Sequence, residues 1–329
     1  MTELAGVARV TFVPVFPDGA VAVIRARGGF ALPSGEVQPL DTGLLDTALR
    51  VLLETAGFRR QTAYEFARHG THAFAWAEGD EYHGRRPHVV VPLQVGEPDA
   101  LARLVRSSGQ AAIADLLEEA TRSYRAIDRV AFAAGHRAEL ERLYLAAATA
   151  EGGSGFGGTR EQWRAAREPI TDAIDHDGTF LDLGCANGLL MESVRQWCGE
   201  RGVVIEPYGV DIAAGLVEHA RERLPDWADR IWQGDAATWV HPDGRRFDYV
   251  HTLLDCADRE RRGDLLDHVI RDVARPGGTL LVSHYARSTT HDRSAAQQLR
   301  ALGYTPVGES RPGLHDPYSP PTTAWVDVP

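Results

Sequence analysis

The chain has 329 residues, 43% of them hydrophobic, with a formal net charge of −11 and a pI near 5.6. That length corresponds to about two domains at roughly 100 to 200 residues each, and the acidic balance disfavours nucleic acid or anionic lipid as a partner. All 35 basic residues are arginine, which excludes a pyridoxal Schiff base and a P-loop lysine.

Cys185, Cys198 and Cys256 have no CxxC spacing, so neither a disulfide framework nor a structural zinc site is expected. The start, MTELAGVARVTFVPVF, has no cationic segment followed by a long apolar run, and no 18 apolar residues follow one another. A cytoplasmic protein with no membrane partner is expected.

In chain order, residues 7–95 read as β-rich: VARVTFVPV, a Pro-Asp-Gly turn at Pro17 to Gly19, AVAVIRA and later HVVVPLQV, interrupted by one helix over 42–55. Asp99 to Ala150 reads as helix throughout, a connector with Leu101, Leu104, Val105, Ile113, Leu116 and Leu117 at helical spacing. The boundaries are set at 1–97, 98–150 and 151–329. Glycine clusters in EGGSGFGGTREQW, Glu151 to Trp163, where Thr159 and Gln162 form a capping box that opens a helix. Beyond Asp177, strands and helices alternate to the end, predicting a mainly parallel, doubly wound α/β sheet covered on both faces.

The segment TFLDLGCANGLL runs from an apolar strand into a loop with two glycines. In such sheets ligands bind outside the carboxyl ends of the strands at the topological switch point. Gly184 allows a sharp turn, Ala186 and Gly188 let a ligand approach the backbone, and the next helix presents its positive end. A dinucleotide loop would read Gly-x-Gly-x-x-Gly. Here the run is Asp182-x-Gly184-x-Ala186-x-Gly188. A carboxylate at the strand end repels pyrophosphate and favours an ammonium or sulfonium group, so the loop expects a cationic, phosphate-free adenosine ligand.

From Phe156 to Val328 the sequence resembles the class I S-adenosylmethionine-dependent methyltransferases, whose sheet is Rossmann-like and seven-stranded. FLDLGCANG is similar to their first motif, with alanine for the middle glycine, and Asp211 ends YGVD 23 residues after Gly188. GDAATW, FDYVHTLLD and RPGGTLLV follow in the family's order. The resemblance implies S-adenosyl-L-methionine as cofactor and S-adenosyl-L-homocysteine as product. It implies cofactor contacts from Asp182, Gly184, Cys185, Ala186, Asn187 and Gly188, from Asp211 to the ribose hydroxyls with Ile212 beside it, from Gly234, Asp235 and Ala236 at the adenine, and from Thr252 and Leu253 beside the methyl. It also implies a lid over the cofactor from the glycine cluster, with Phe156 and Trp163 as its apolar residues.

Gly28 to Phe58 resembles the Nudix hydrolase fold in its strand, Leu-Pro-x-Gly turn and helix ending in Ala-Gly-Phe. Hydrolysis needs several carboxylates on one helix face to hold metal against a diphosphate, whereas Val51 follows Arg50 and Thr55 follows Glu54. An α/β Nudix-like domain that has lost hydrolysis is expected, retained for recognition, dimerisation or stability, with Asp41 as a stand-in acid. His69, His72, His83 and His88 match no metal motif, and no metal site is expected.

Methyl transfer from a sulfonium is an in-line displacement helped by alignment in a dry pocket. Candidates for a base are Asp255 first, then His251, His284 and Tyr285. No aromatic-plus-basic stripe, Asn-Pro-Pro-Tyr type motif or catechol-type ligand set is present, so a small metabolite is the expected acceptor, with a homodimer possible. The alternative is a bifunctional or nucleotide-sensing protein whose first domain binds or hydrolyses a nucleoside diphosphate derivative.

Overall fold

The computed structural model describes residues 4–16, 19–39, 41, 43–56, 62–78, 85–86, 89–90, 93–127, 137–138, 140–257, 261–284, 294–310 and 323–329. The chain divides into two compact units, 1–136 and 137–329.

The first unit contains β1 (Arg9–Val15), β2 (Val21–Ala26), β3 (Gly29–Ala31), β4 (Ser34–Glu36), α1 (Leu44–Thr55), β5 (Thr62–His69), β6 (His72–Glu78), the short pair β7 (Arg85–Arg86) and β8 (Val89–Val90), β9 (Leu93–Gly96), α2 (Pro98–Ser107) and α3 (Ala111–Ala126). Its main sheet runs β3-β2-β1-β6-β5, with β4 added to β1 and β9 to β2. Only β1 and β6 are parallel among the described pairs of this sheet. Successive residues of a strand face opposite sides, and both sides of β1 are buried. Val10 and Phe12 cluster with Ala48, Val51 and Leu52 of α1. Val13 and Val15 cluster with Leu101, Val105, Ala114 and Leu117.

The segment read from sequence as a connector therefore supplies the second helical layer of this unit, through α2 and α3. It is not one helix either. Gly109, at φ +85°, breaks it, and Gln110 leaves the helical path to pair its side-chain amide with both backbone groups of Phe30, at 2.6 Å each.

The second unit contains α4 (Arg160–Arg167), β10 (Gly178–Leu183), α5 (Leu189–Glu200), β11 (Ile205–Asp211), α6 (Ala214–Arg223), β12 (Ile231–Gln233), β13 (Phe247–Leu253), α7 (Arg262–His268), β14 (Ala274–Ser283), α8 (Ala295–Ala301), β15 (Gly308–Ser310) and β16 (Thr323–Asp327). The Thr159–Gln162 capping box opens α4 as its sequence predicts. The seven strands are ordered β12-β11-β10-β13-β14-β16-β15. The first five are mutually parallel, and β16 is antiparallel to both its neighbours.

This is a Rossmann-like α/β fold, covered on both faces. Phe180, Tyr249 and Leu281 pack with α5 residues on one side, and Leu181, Leu183, Val250 and Leu280 pack with Leu265, Leu266 and Leu299 on the other. The chain winds outward through β10, β11 and β12, then returns to β13 on the opposite side of β10. The switch point lies between β10 and β13, where ligand crevices form. Among the described residues no helix is long and apolar enough to cross a membrane.

Candidate functional site

The loop after β10 is built from left-handed backbone. Gly184 has φ +88° and Gly188 +76°, and Ala186 at +46° is the one non-glycine residue with positive φ among the described residues. A Cβ on Gly184 would lie 2.7 Å from Cys256 Sγ, and one on Gly188 would lie 2.7 Å from Leu224 Cδ1. Packing as well as backbone conformation thus demands glycine at both positions.

Two carboxylates flank this loop. Asp211, the last residue of β11, is 8% exposed and accepts hydrogen bonds from the N–H groups of Ala186 (2.8 Å) and Ala213 (2.9 Å). Burial pushes its pKa up, the two N–H groups oppose this, and the charges of Asp182 and Glu141 push it further up. Asp182, near the end of β10, is 3% exposed and lies 2.8 Å from His251 Nδ1. Neither acid pairs with an arginine among the described residues. Cys185 between them is held well above the ordinary thiol range by burial and by the charges of Asp211 and Asp182, so it supplies no thiolate.

Gly234 and Asp235 follow β12, one strand beyond Asp211. Gly234 N–H donates to the Asp211 carbonyl (2.9 Å), and Asp235 Oδ1 accepts from Ala237 N–H (2.9 Å). Ala236 is buried, while Ile212 remains an exposed large apolar side chain beside Asp211. Thr252 is buried and Leu253 half-buried at the end of β13, and Asp255 is exposed in the turn Leu254–Cys256 that follows. His284 is half-buried just past β14. Tyr285 lies outside the described residues.

Three expected site residues are engaged elsewhere. Trp163 is 3% exposed inside the cluster of Ile170, Phe180 and Trp197, with its indole N–H on Ser193 Oγ at 3.0 Å. Its position on α4 aims it at the sheet, and Phe156 packs edge-on against it. Asn187 spends its side chain on the protein, donating to the Ala150 carbonyl (2.8 Å) and accepting from Ser154 Oγ (2.7 Å) and Leu189 N–H (3.1 Å). It ties the glycine cluster to the loop. His251 is 2% exposed with both ring nitrogens hydrogen-bonded, so it presents no free nitrogen to an acceptor.

Residues 180–278 match the family model described as a methyltransferase domain. The second unit carries a methyltransferase domain. No match was found among the curated proteins. Similar solved structures include a SAM-dependent methyltransferase from Aquifex aeolicus (13% identity, 52% of this chain and 94% of that one, TM-score 0.39). Two more are SAM-dependent methyltransferases in complex with S-adenosyl-L-homocysteine, from Geobacter sulfurreducens (19%, 46% and 66%, 0.32) and Thiobacillus denitrificans (18%, 46% and 66%, 0.31). At these identities and TM-scores the family match carries the assignment.

Sequence reasoning missed two features of the methyltransferase domain. Glu141 accepts a hydrogen bond from Gly215 N–H at the start of α6 and adds its charge to the surroundings of Asp211. Ser283, at the end of β14, bonds His251. Neither lies in a motif, and only the folded chain brings them near Asp211 and His251.

Proposed function

We propose that the methyltransferase domain transfers the methyl group of S-adenosyl-L-methionine to an oxygen or nitrogen of a small-molecule acceptor. The observation that supports this best is the pair of buried carboxylates, Asp182 and Asp211, flanking a tight left-handed loop at the switch point, with no arginine partner among the described residues. Buried negative charge with no full positive charge to offset it is costly. Such a site favours a cation and disfavours a pyrophosphate, which fits a sulfonium nucleoside carrying an ammonium group.

In this reading Asp211 receives the ribose hydroxyls on the lone pairs its two backbone donors leave free, and Ile212 covers one face of the adenine. Asp235 and Ala236 take the adenine edge. Gly184 to Gly188, with Thr252 and Leu253, enclose the rest. The cofactor supplies an electrophilic methyl on a sulfonium. The chain's part is to hold the acceptor in line and dry, with exposed Asp255 receiving the acceptor's proton or orienting an amine, and His284 at the rim.

The first unit serves in this reading as a catalytically inactive Nudix-like scaffold for recognition or dimerisation. Isothermal titration with S-adenosyl-L-homocysteine tests the cofactor reading. The expected outcome is saturable binding by the full chain and none of comparable strength for NAD; the reverse order of affinity overturns it.

A further inference from the structure

Four side chains from four adjacent strands form one buried row. Asp182 Oδ1 of β10 lies 2.8 Å from His251 Nδ1 of β13, His251 Nε2 lies 2.9 Å from Ser283 Oγ of β14, and Ser283 Oγ lies 2.8 Å from Thr323 Oγ1 of β16. All four are almost fully enclosed, with Thr323 and Ser283 at 0% and 1% exposed. The register explains the row, since Asp182 pairs with His251 and Ser283 with Thr323.

The chemistry of the row fixes its direction. A carboxylate only accepts, so His251 Nδ1 carries a proton. If Nε2 carried one as well, Ser283 would accept it, turn its own proton to Thr323, and leave the Thr323 hydroxyl proton needing another acceptor. Thr323 Oγ1 has no other side-chain partner among the described residues. In the opposite direction every proton has an acceptor: Thr323 donates to Ser283, Ser283 to His251 Nε2, and His251 Nδ1–H to Asp182. Buried polar groups favour the arrangement in which all are satisfied.

We infer that His251, Ser283 and Thr323 are positioning residues that keep the imidazole neutral and so preserve the full negative charge of Asp182 for the cationic end of the bound nucleoside. This rests on the cofactor reading above. A neutral ring orients the carboxylate with one hydrogen bond, whereas an imidazolium at the same place would neutralise it and compete with the ligand's ammonium group. His251 is then no proton acceptor for the methyl acceptor.

The test uses the full chain and two probes, S-adenosyl-L-homocysteine and 5′-methylthioadenosine, which lacks the amino-acid end. Ser283→Ala, which removes the donor to His251 Nε2, is expected to weaken S-adenosyl-L-homocysteine about tenfold, and Thr323→Val, similar in size but without the hydroxyl that orients Ser283, is expected to weaken it less. Methylthioadenosine should bind both variants as it binds wild type, and Thr323→Ser should restore wild-type affinity for both probes. Nitrogen-15 NMR of wild type at neutral pH should show His251 protonated on Nδ1 alone. Equal weakening of both probes would mean a merely structural row, and unchanged affinity for S-adenosyl-L-homocysteine in folded variants would overturn the inference, as would a doubly protonated His251 in wild type. Wild type binding neither probe would instead overturn the cofactor reading beneath it.

Discussion

The two ends of the methyltransferase sheet each hold a buried aspartate, and the protein treats them oppositely. Asp248, at the amino end of β13, and Asp211, at the carboxyl end of β11, are equally exposed at 8%. Asp248 accepts from the N–H and hydroxyl of Thr179 at 2.8 and 2.7 Å and pairs with Arg275 at 2.5 Å. Burial pushes its pKa up, but Thr179 and the Arg275 charge outweigh that and hold it below the usual carboxylate range. Asp211 has two backbone donors and no arginine partner among the described residues, and its pKa is raised. At the same residue exposure the Asp211 carboxyl group lies deeper than that of Asp248, and the difference in depth and in compensation separates an acid that joins strands from one left with backbone donors.

The largest expected effect breaks the carboxyl end. Asp211→Ala should weaken S-adenosyl-L-homocysteine binding by about 1 to 3 kcal/mol, the range for losing a charged hydrogen-bond partner, as measured by titration calorimetry. Unchanged affinity in a folded variant removes Asp211 from the ribose. At the amino end the loss should move to stability. Asp248→Ala should cost about 1 to 3 kcal/mol in urea unfolding, because Thr179 and Arg275 lose their acceptor, while cofactor affinity stays within about twofold. A variant that unfolds normally but fails to bind would erase the distinction between the two ends.

A smaller effect sharpens the same contrast through pH. Asp248 has a depressed folded pKa, so its stabilisation is present above the unfolded value of about 3.9 and is lost as pH falls through the lower folded value. Asp211 has a raised folded pKa, so its contribution is present below about 3.9 and is lost as pH rises through the higher folded value. Relative to wild type, Asp248→Asn should therefore be least stable near neutrality and converge on wild type in acid. Asp211→Asn should run the other way, improving against wild type as pH rises. Thermal unfolding of the three proteins across the acid range measures both slopes, and slopes of the same sign would contradict the assigned compensation.

What was legible in the sequence divides along the same line. The loop, Asp182, Asp211 and the alternation of strands and helices are local patterns, readable because a strand end, a glycine turn and an acid lie within a few residues of each other. The capping box at Thr159 was legible for the same reason, but the direction of Trp163 was not, since that depends on which face of α4 meets the sheet. His251 was legible as a polar residue on β13, yet its role depends on Ser283 and Thr323, 32 and 72 positions away in sequence. Sheet order alone places them side by side. α2 and α3 were legible as helices, but their membership of the first unit rests on contacts with Val13, Val15 and Trp76 that no periodicity reveals.

The smallest expected effect is none at all, and it extends the comparison to the first unit. Asp41, the acid that could stand in for a metal ligand of a Nudix-like site, is compensated in the manner of Asp248. Arg50 pairs with it at 2.5 Å and reaches Glu54 at 3.5 Å, so one guanidinium lies between the two carboxylates that a divalent ion would need. Asp41 also accepts from Gln38 N–H at 2.9 Å. Burial raises its pKa, and the hydrogen bonds from Arg50 and Gln38 bring it below the ordinary value. No group of three or more candidate metal ligands occurs among the described residues. Magnesium or manganese should then leave the unfolding temperature of the full chain unchanged, and phosphate release from a panel of nucleoside diphosphate derivatives should stay at background. Metal-dependent release on the order of 1 per second, a typical enzymatic rate, that Glu54→Gln abolishes would show that Arg50 gives way to metal and that compensation does not mark a retired site.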